Sequence, residues 1–255
     1  MPNRFCLVLL VVTGLLTATR LVAGWERVED FDALPPGPAS KAGKLVVNGD
    51  ASVFEIVAEG EGRFLRSARS VVDWRYWWAA LALPRPVDSA SRAVTVYARF
   101  RWRGAGHDAL DFSFGLTRGP VTDTADFRLY RVQVAPLLGA DGLDLRLRNG
   151  DALSDAVRGL APDVWFQCWL VIDNRSGTFR FYLAPGSGGA GPEHLLGGTY
   201  AFRTGDPTEG PLTHFAVMRP TKHGTVAFDL DSIWIDYQGV NLASPRSAPA
   251  AAAPR

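Results

Sequence analysis

WFQCWLVIDNRSGTFRFYLAP, running from Trp165 to Pro185, decides the fold. Trp165, Gln167, Trp169 and Val171 alternate with Phe166, Cys168, Leu170 and Ile172, and aromatic and branched residues at period two mark a strand. Asp173-Asn174-Arg175-Ser176-Gly177 is turn chemistry, because Asn tolerates and Gly readily adopts positive φ. The chain returns with Thr178, Arg180 and Tyr182 on one face and Phe179, Phe181 and Leu183 on the other. The stretch therefore predicts a β-hairpin at the centre of a sheet.

The rest of the chain continues in the same manner. Ala93 to Arg103 predicts a strand with Val94, Val96, Ala98, Phe100 and Trp102 inward and Thr95, Tyr97, Arg99, Arg101 and Arg103 outward. The segment from Asp73 to Leu83, DWRYWWAALAL, predicts an aromatic strand closed by Pro84-Arg85-Pro86. Asn48-Gly49-Asp50 predicts a hairpin between Lys44–Val47 and Val53–Val57. Thr225 to Tyr237 predicts the last strand. Asp151 to Leu160 is the one stretch that suits a short helix. Roughly a dozen short strands at spacings of roughly eight to twelve residues predict an all-β sandwich or barrel. No fixed repeat is visible, which disfavours a propeller. Two antiparallel sheets forming a jelly roll bury two apolar faces and limit exposed edges.

Three segments follow from composition. Residues 1–24 carry Arg4, an apolar run from Phe5 to Leu16 and small residues at Ala23-Gly24. They predict a secretory signal peptide, the run being too short to span a bilayer. The domain is expected over 25–243, and 244–255 predict a Pro/Ala-rich disordered tail. The expected location is secreted, periplasmic or at the cell surface, with no transmembrane segment in the mature chain. Removing Arg4 and Arg20 from the 27 Lys and Arg leaves 25 against 26 Asp and Glu. A nearly neutral protein has no global field to attract nucleic acid. Of two cysteines only Cys168 then remains, which excludes an intramolecular disulfide. Cys168 lies between Phe166 and Leu170 on one strand face and reads as a small buried hydrophobe. A monomer is expected.

The pattern resembles the concanavalin A-like lectin/glucanase superfamily, of the laminin G-like jelly-roll kind. The residues carrying the resemblance are Asp30-Phe31-Asp32 with Pro36-Gly37, the Tyr97–Trp102 strand and Asp111-Phe112-Ser113-Phe114-Gly115. The Trp165–Tyr182 hairpin and Phe228-Asp229-Leu230-Asp231-Ser232-Ile233-Trp234-Ile235-Asp236 complete it. The resemblance implies a jelly roll and leaves lectin, hydrolase, lyase and interaction module open. Laminarinase-type relatives carry Glu-x-Asp-x-x-Glu along one strand. The nearest stretch here is Glu55-Ile56-Val57-Ala58-Glu59, with Val57 in the Asp position, so no catalytic residue is assigned. Lyase-type relatives use Arg, Gln, His and Tyr on one sheet. Arg99, Arg101 and Arg103 form a ladder to which Arg131-Gln133 and Arg146-Arg148 could add, but the Gln-Ile-His element is missing.

The expected function is non-catalytic glycan binding. Its alternatives are a lyase or hydrolase acting on an acidic glycan and a cell-surface protein-interaction module. The candidate ligand residues are Trp74, Arg75, Tyr76, Trp77 and Trp78, as a stacking platform for sugar, together with Arg99, Arg101 and Arg103. Arginine forks suit carboxylates, so an arginine contact face implies an acidic polysaccharide; the alternative for the same arginines is a solvent-facing sheet paired with nearby acids. No cofactor is expected to be required. A structural calcium ion could clip the terminal strands through Asp30, Asp32, Asp229 and Asp231.

Overall fold

The computed structural model describes residues 24–41, 44–48, 53–60, 62–67, 76–104, 112–121, 127–204, 210–220 and 226–245. In chain order the strands are β1 Trp25–Glu29, β2 Gly37–Pro38, β3 Val46–Asn48, β4 Phe54–Glu59, β5 Gly62–Ser67, β6 Tyr76–Val87, β7 Val94–Arg103 and β8 Ser113–Thr117. They continue as β9 Tyr130–Gly139, β10 Gly142–Asn149, β11 Ala152–Leu160, β12 Phe166–Asp173, β13 Thr178–Pro185, β14 Leu195–Ala201, β15 Leu212–Pro220 and β16 Ala227–Asp236. One sheet, here the first sheet, runs β14-β13-β12-β7-β16-β5-β4-β2, with β1 also on β16. The second sheet runs β11-β10-β9-β8-β15-β6-β3. All pairings are antiparallel. This is the expected two-sheet jelly-roll sandwich.

The core lies between the sheets and is dense in phenylalanine. Phe100 of β7 stacks on Phe166 of β12 and Phe228 of β16, at 5.7 and 5.5 Å between ring centres. Phe114 of β8 meets Phe100 from the second sheet at 5.7 Å. Each ring arrives there by strand alternation, and such pairs contribute about 0.5–1.5 kcal/mol beyond area burial. Cys168 is buried in the same layer, and its thiol is pushed well up by desolvation, as for an inert core residue.

The hairpin stands as expected: β12 pairs with β13 from Phe166↔Pro185 to Asp173↔Thr178 and with β7 on its other edge. The turn amide nitrogen of Asn174 donates to Val87 O at 3.0 Å. β16 reaches its pattern by an irregularity. Phe228 and Leu230 point inward, as do Ile233 and Ile235, which period two allows only if one residue is inserted. The register slips between Asp231 and Trp234, where Ser232 takes φ +53°.

Three sequence expectations are corrected. The strands flanking Asn48-Gly49-Asp50 do not pair with each other: β3 pairs with β6 in the second sheet and β4 with β5 in the first, while Gly49 and Asp50 lie outside the described residues. Asn48 instead accepts the Trp78 backbone N–H on its side chain at 2.7 Å. Residues 152–160 form strand β11 rather than a helix, since the β10 edge pairs along them. Pro84 and Pro86 do not end β6; they fall at the register shift opposite Leu212 and His214, where missing N–H donors are tolerated. At the expected 243/244 boundary, Ser244 and Pro245, the first two residues of the expected tail, are buried. Residues 246–255 and nearly all of the expected signal peptide lie outside the described residues.

The course of the 237–245 segment accounts for that burial. It crosses the outer face of the first sheet over Tyr97 and Trp169. Asn241 N donates to Thr95 Oγ1 at 3.0 Å, Ala190 N to Leu242 O at 2.7 Å and Trp169 Nε1 to Ala243 O at 3.2 Å. Tyr97 and Trp169 are wholly buried beneath it.

Candidate functional site

Beyond Tyr97 the same outer face opens. Alternation on β7 sends Arg99, Arg101 and Arg103 outward, as expected. The register of the first sheet sets Arg101 opposite Asp229 and Arg99 opposite Asp231, with Arg66 of β5 on the far side of Asp229. Opposite charges directly across a ladder are the favoured pairing.

Asp229 is fully buried and is the hub. Arg66 donates to it from Nε at 2.7 Å and Nη2 at 3.0 Å, and Arg101 from Nε at 3.0 Å and Nη2 at 2.8 Å. Arg103 Nε lies 3.4 Å from the same carboxylate. Glu59, at the end of β4, takes Arg101 at 3.0–3.1 Å and Arg103 at 2.6–2.7 Å. The Arg101 hydrogen bond holds the Glu59 carboxyl below its ordinary value, and the Asp229 hydrogen bond holds the Arg66 guanidinium above its own. Arg99 Nη1 reaches Asp231 at 3.3 Å.

Aromatic rings back this network. Trp165 precedes β12 and remains half-buried. The Arg99 and Arg101 guanidinium carbons lie 4.8 and 4.5 Å from its ring centre, and Phe64 meets it edge-on at 5.6 Å. Cation–π contacts of this kind hold arginine forks in place. Between these groups lies a pocket of about 180 Å³, lined by Glu59, Arg63, Phe64, Arg99, Arg101 and Trp165, with Asp231 and Gly62 completing the wall. A larger hollow, about 640 Å³ between the Ser89–Ala93 loop and the Asp173 turn, has no aromatic lining.

The remaining expected site residues fall elsewhere. Trp77 is buried in the main core and Trp78 is buried on the opposite side of the second sheet, against Tyr130 at 5.1 Å. Neither has a ring face free to stack on a sugar. Trp74 and Arg75 lie outside the described residues, as does the Tyr76 side chain. Arg131, Gln133, Arg146 and Arg148 lie on β9 and β10 of the second sheet, so they do not join the Arg99 ladder. There Gln133 Oε1 accepts from Arg148 at 2.8 and 3.1 Å and from Arg203 at 3.2 Å, while Gln133 Nε2 donates to Ser113 Oγ at 2.9 Å. Burial, and then the Arg203 charge, push the Arg148 guanidinium down to about 10.

The four expected calcium ligands are not brought together. Asp229 and Asp231 serve the arginines. Asp30 takes Arg27 at 2.7 Å, and Asp32 takes the Arg63 backbone N–H at 2.9 Å. Among the described residues no three His, Cys, Asp or Glu side chains form a group suited to a metal.

Glu59, Arg63, Phe64 and Trp165 are pocket residues that the sequence reading did not select. In the sequence Glu59 only closes the stretch that fails the glucanase pattern, and Trp165 only opens the hairpin. The signal available was the arginine ladder itself, which requires acids on the neighbouring strands.

With the geometry in hand, the fold class is clear: the chain is a two-sheet antiparallel jelly-roll sandwich, and its fold is similar to that of several solved domains. The catalytic domain of a glycoside hydrolase family 131 protein from Coprinopsis cinerea is similar at 11% identity and TM-score 0.60, over 88% of this chain and 100% of that one. The carbohydrate recognition domain of Emp47p is similar at 12% identity and TM-score 0.51, over 84% and 98%. A carbohydrate esterase from Shiga toxin-encoding bacteriophage phi24B is similar at 12% identity and TM-score 0.51, over 76% and 89%. At these identities the likeness is one of fold. No protein-family model matches the chain, and no curated protein sequence does. Among the described residues no helix is long and apolar enough to cross a membrane.

Proposed function

We propose that the protein is a secreted, non-catalytic glycan-binding jelly roll whose contact site is the Trp165 pocket. The observation that carries this reading is the pocket itself: half-buried Trp165 flanked by Phe64, with Arg99, Arg101, Glu59 and Asp231 presenting polar groups around one small hollow. Aromatic surface beside a few convergent polar groups is the usual composition of a small-molecule site. A sugar ring offers an apolar C–H side to the aromatic surface and hydroxyls to the polar rim.

The state of Glu59 does not suit it to be the general acid of a glycosidic cleavage. Glycosidic cleavage needs one carboxylic acid with a raised pKa. Arg101 and Arg103 do the reverse to Glu59, keeping it ionised. Location outside the cytoplasm accords with the leader-like composition of 1–24.

The test is a glycan array probed with the purified protein, followed by a turnover assay on each hit. Binding without turnover is the expected result. Turnover of a bound glycan would overturn the non-catalytic reading, and binding of no glycan would overturn the function.

A further inference from the structure

Arg63 differs from the other charged side chains that line the Trp165 pocket. Glu59 accepts from Arg101 and Arg103 on both of its oxygens, Arg101 is also held by Asp229, and Arg99 meets Asp231. Arg63 has only neutral partners: its Nη1 donates to the backbone carbonyls of Asp32 at 3.0 Å and Leu34 at 2.6 Å. The Asp32 carboxylate takes the Arg63 backbone N–H instead of the guanidinium. Among the described residues no carboxylate pairs with this guanidinium.

The carbonyl contacts hold the group without using the edge that suits an anion. A guanidinium grips a carboxylate through two parallel N–H groups on one side of its planar fork. Arg66, three residues further along β5, does so to Asp229 with Nε and Nη2. On Arg63 the Nε and Nη2 groups have no protein partner among the described residues. The Nη1 bonds fix the plane of the fork in advance, which lowers the ordering cost of a ligand that joins it.

The acids of the pocket do not cancel this charge. Arg63, Arg99 and Arg101 line it against Glu59 and Asp231, and both acids already face arginines at contact distance. Asp229, behind them, is shared by Arg66, Arg101 and Arg103. A surplus cation in a hollow partly closed from water attracts an anion more strongly than one on an open surface. Trp165 and Phe64 supply apolar surface within the same hollow. Its volume of about 180 Å³ lies below the roughly 300–1,000 Å³ typical of drug-sized ligands, which restricts the occupant to about one sugar ring.

This step rests on the glycan-binding function proposed above and concerns the same pocket. We infer that Arg63 is the anion receptor of the Trp165 pocket, and that the sugar residue held there carries an oxyanion, either a uronate carboxylate or a sulfate ester. Arg99 and Arg101, the arginines that the sequence singles out, stay paired within the protein.

The experiment is an array carrying uronate-bearing, sulfated and neutral oligosaccharides, read with the purified protein. The strongest acidic ligand is then titrated into the unaltered protein and into Arg63→Met, both as it is and with its carboxyl reduced to the alcohol or its sulfate removed. Acidic glycans are expected to lead the array, with binding that weakens at least about threefold from about 0.05 M to about 0.5 M sodium chloride as charge attraction is screened. Neutralising the ligand is expected to weaken binding to the unaltered protein at least about tenfold, on the scale of a lost charge-assisted hydrogen bond. Arg63→Met is expected to weaken the acidic ligand by a similar factor and to leave the neutralised ligand within about threefold, since the two changes remove the same contact. Loss on carboxyl reduction identifies the uronate, and loss on desulfation the sulfate ester. Neutral glycans leading the array, or equal binding of the acidic and neutralised ligand, would overturn this inference and leave glycan binding standing. An Arg63→Met protein that keeps both its melting profile and its full preference for the acidic ligand would overturn the assignment to Arg63. Arg63 also ties down the Asp32–Leu34 turn, so the comparison of the two ligands on the unaltered protein decides the anion question even where Arg63→Met fails to fold. Binding of no glycan at all would remove the underlying function.

Discussion

Two arginine clusters lie on the two outer faces of this sandwich, and they are balanced in different ways. On the first sheet Arg66, Arg101 and Arg103 converge on buried Asp229, with Glu59 at the rim. On the second sheet Arg148 is held by the amide oxygen of Gln133 and by Asp151 O at 3.0 Å. Residue type and strand alternation are alike in the two places. What differs is the residue that the neighbouring strand sets opposite. A carboxylate hub locks the first cluster and leaves a pocket of mixed donors and acceptors. An amide hub satisfies geometry without cancelling charge, and burial, followed by the Arg203 charge, lowers the basicity of Arg148.

The comparison can be broken at its hubs. Asp229→Ala is expected to have the largest effect. It leaves Arg101, only 6% exposed at its side chain, without its buried partner, and removal of one member of such a pair costs about 3–5 kcal/mol. Urea denaturation measures it, and a loss under about 1 kcal/mol would show that the hub is ornamental. Gln133→Leu on the other face is expected to cost about 1–3 kcal/mol, the penalty of unsatisfied buried donors on Arg148. If the two substitutions cost the same, the distinction between the hubs fails.

Glu59 sharpens the comparison by pH. Its folded pKa is depressed, so the stability it contributes is present above the ordinary carboxylate pKa. That stability is lost as pH falls below the ordinary value and through the folded one. The side chain is 44% exposed, so solvent screening limits the contribution to well under about 1 kcal/mol. Thermal melts of Glu59→Gln should approach those of the unaltered protein as pH falls from about 6 to about 3, spanning the carboxylate range. A gap that stays constant over this range would contradict the assignment.

The sequence made the face of each β7 side chain readable, because period two needs no knowledge of neighbours. The hairpin was readable for the same reason, helped by its turn residues. Pairing between distant segments was not. Arg101 and its hub Asp229 are separated by 128 positions, and nothing local announces which strand lies alongside. Asn48-Gly49-Asp50 shows the same limit: the turn chemistry is sound, yet β3 and β4 join different sheets. The Asp151 to Leu160 stretch suits a short helix when read alone, and its weak apolar pattern becomes strand β11 only because β10 offers an open edge. Trp165 looked like scaffold by alternation. Its place in a pocket depends on the β12–β7 register, which sets Gln167 opposite Arg99 and so brings the preceding tryptophan beside Arg101. Conversely, the richness of the Trp74–Trp78 stretch could not reveal that Trp77 and Trp78 are both covered.

The most direct test of the central claim is calorimetric titration of the strongest array ligand into three proteins: unaltered, Trp165→Ala and Arg148→Met. The account predicts that Trp165→Ala weakens binding at least about tenfold, as loss of an aromatic anchor does, whereas Arg148→Met binds like the unaltered protein. Loss of binding in Arg148→Met with Trp165→Ala unaffected would place the site on the second sheet and contradict it.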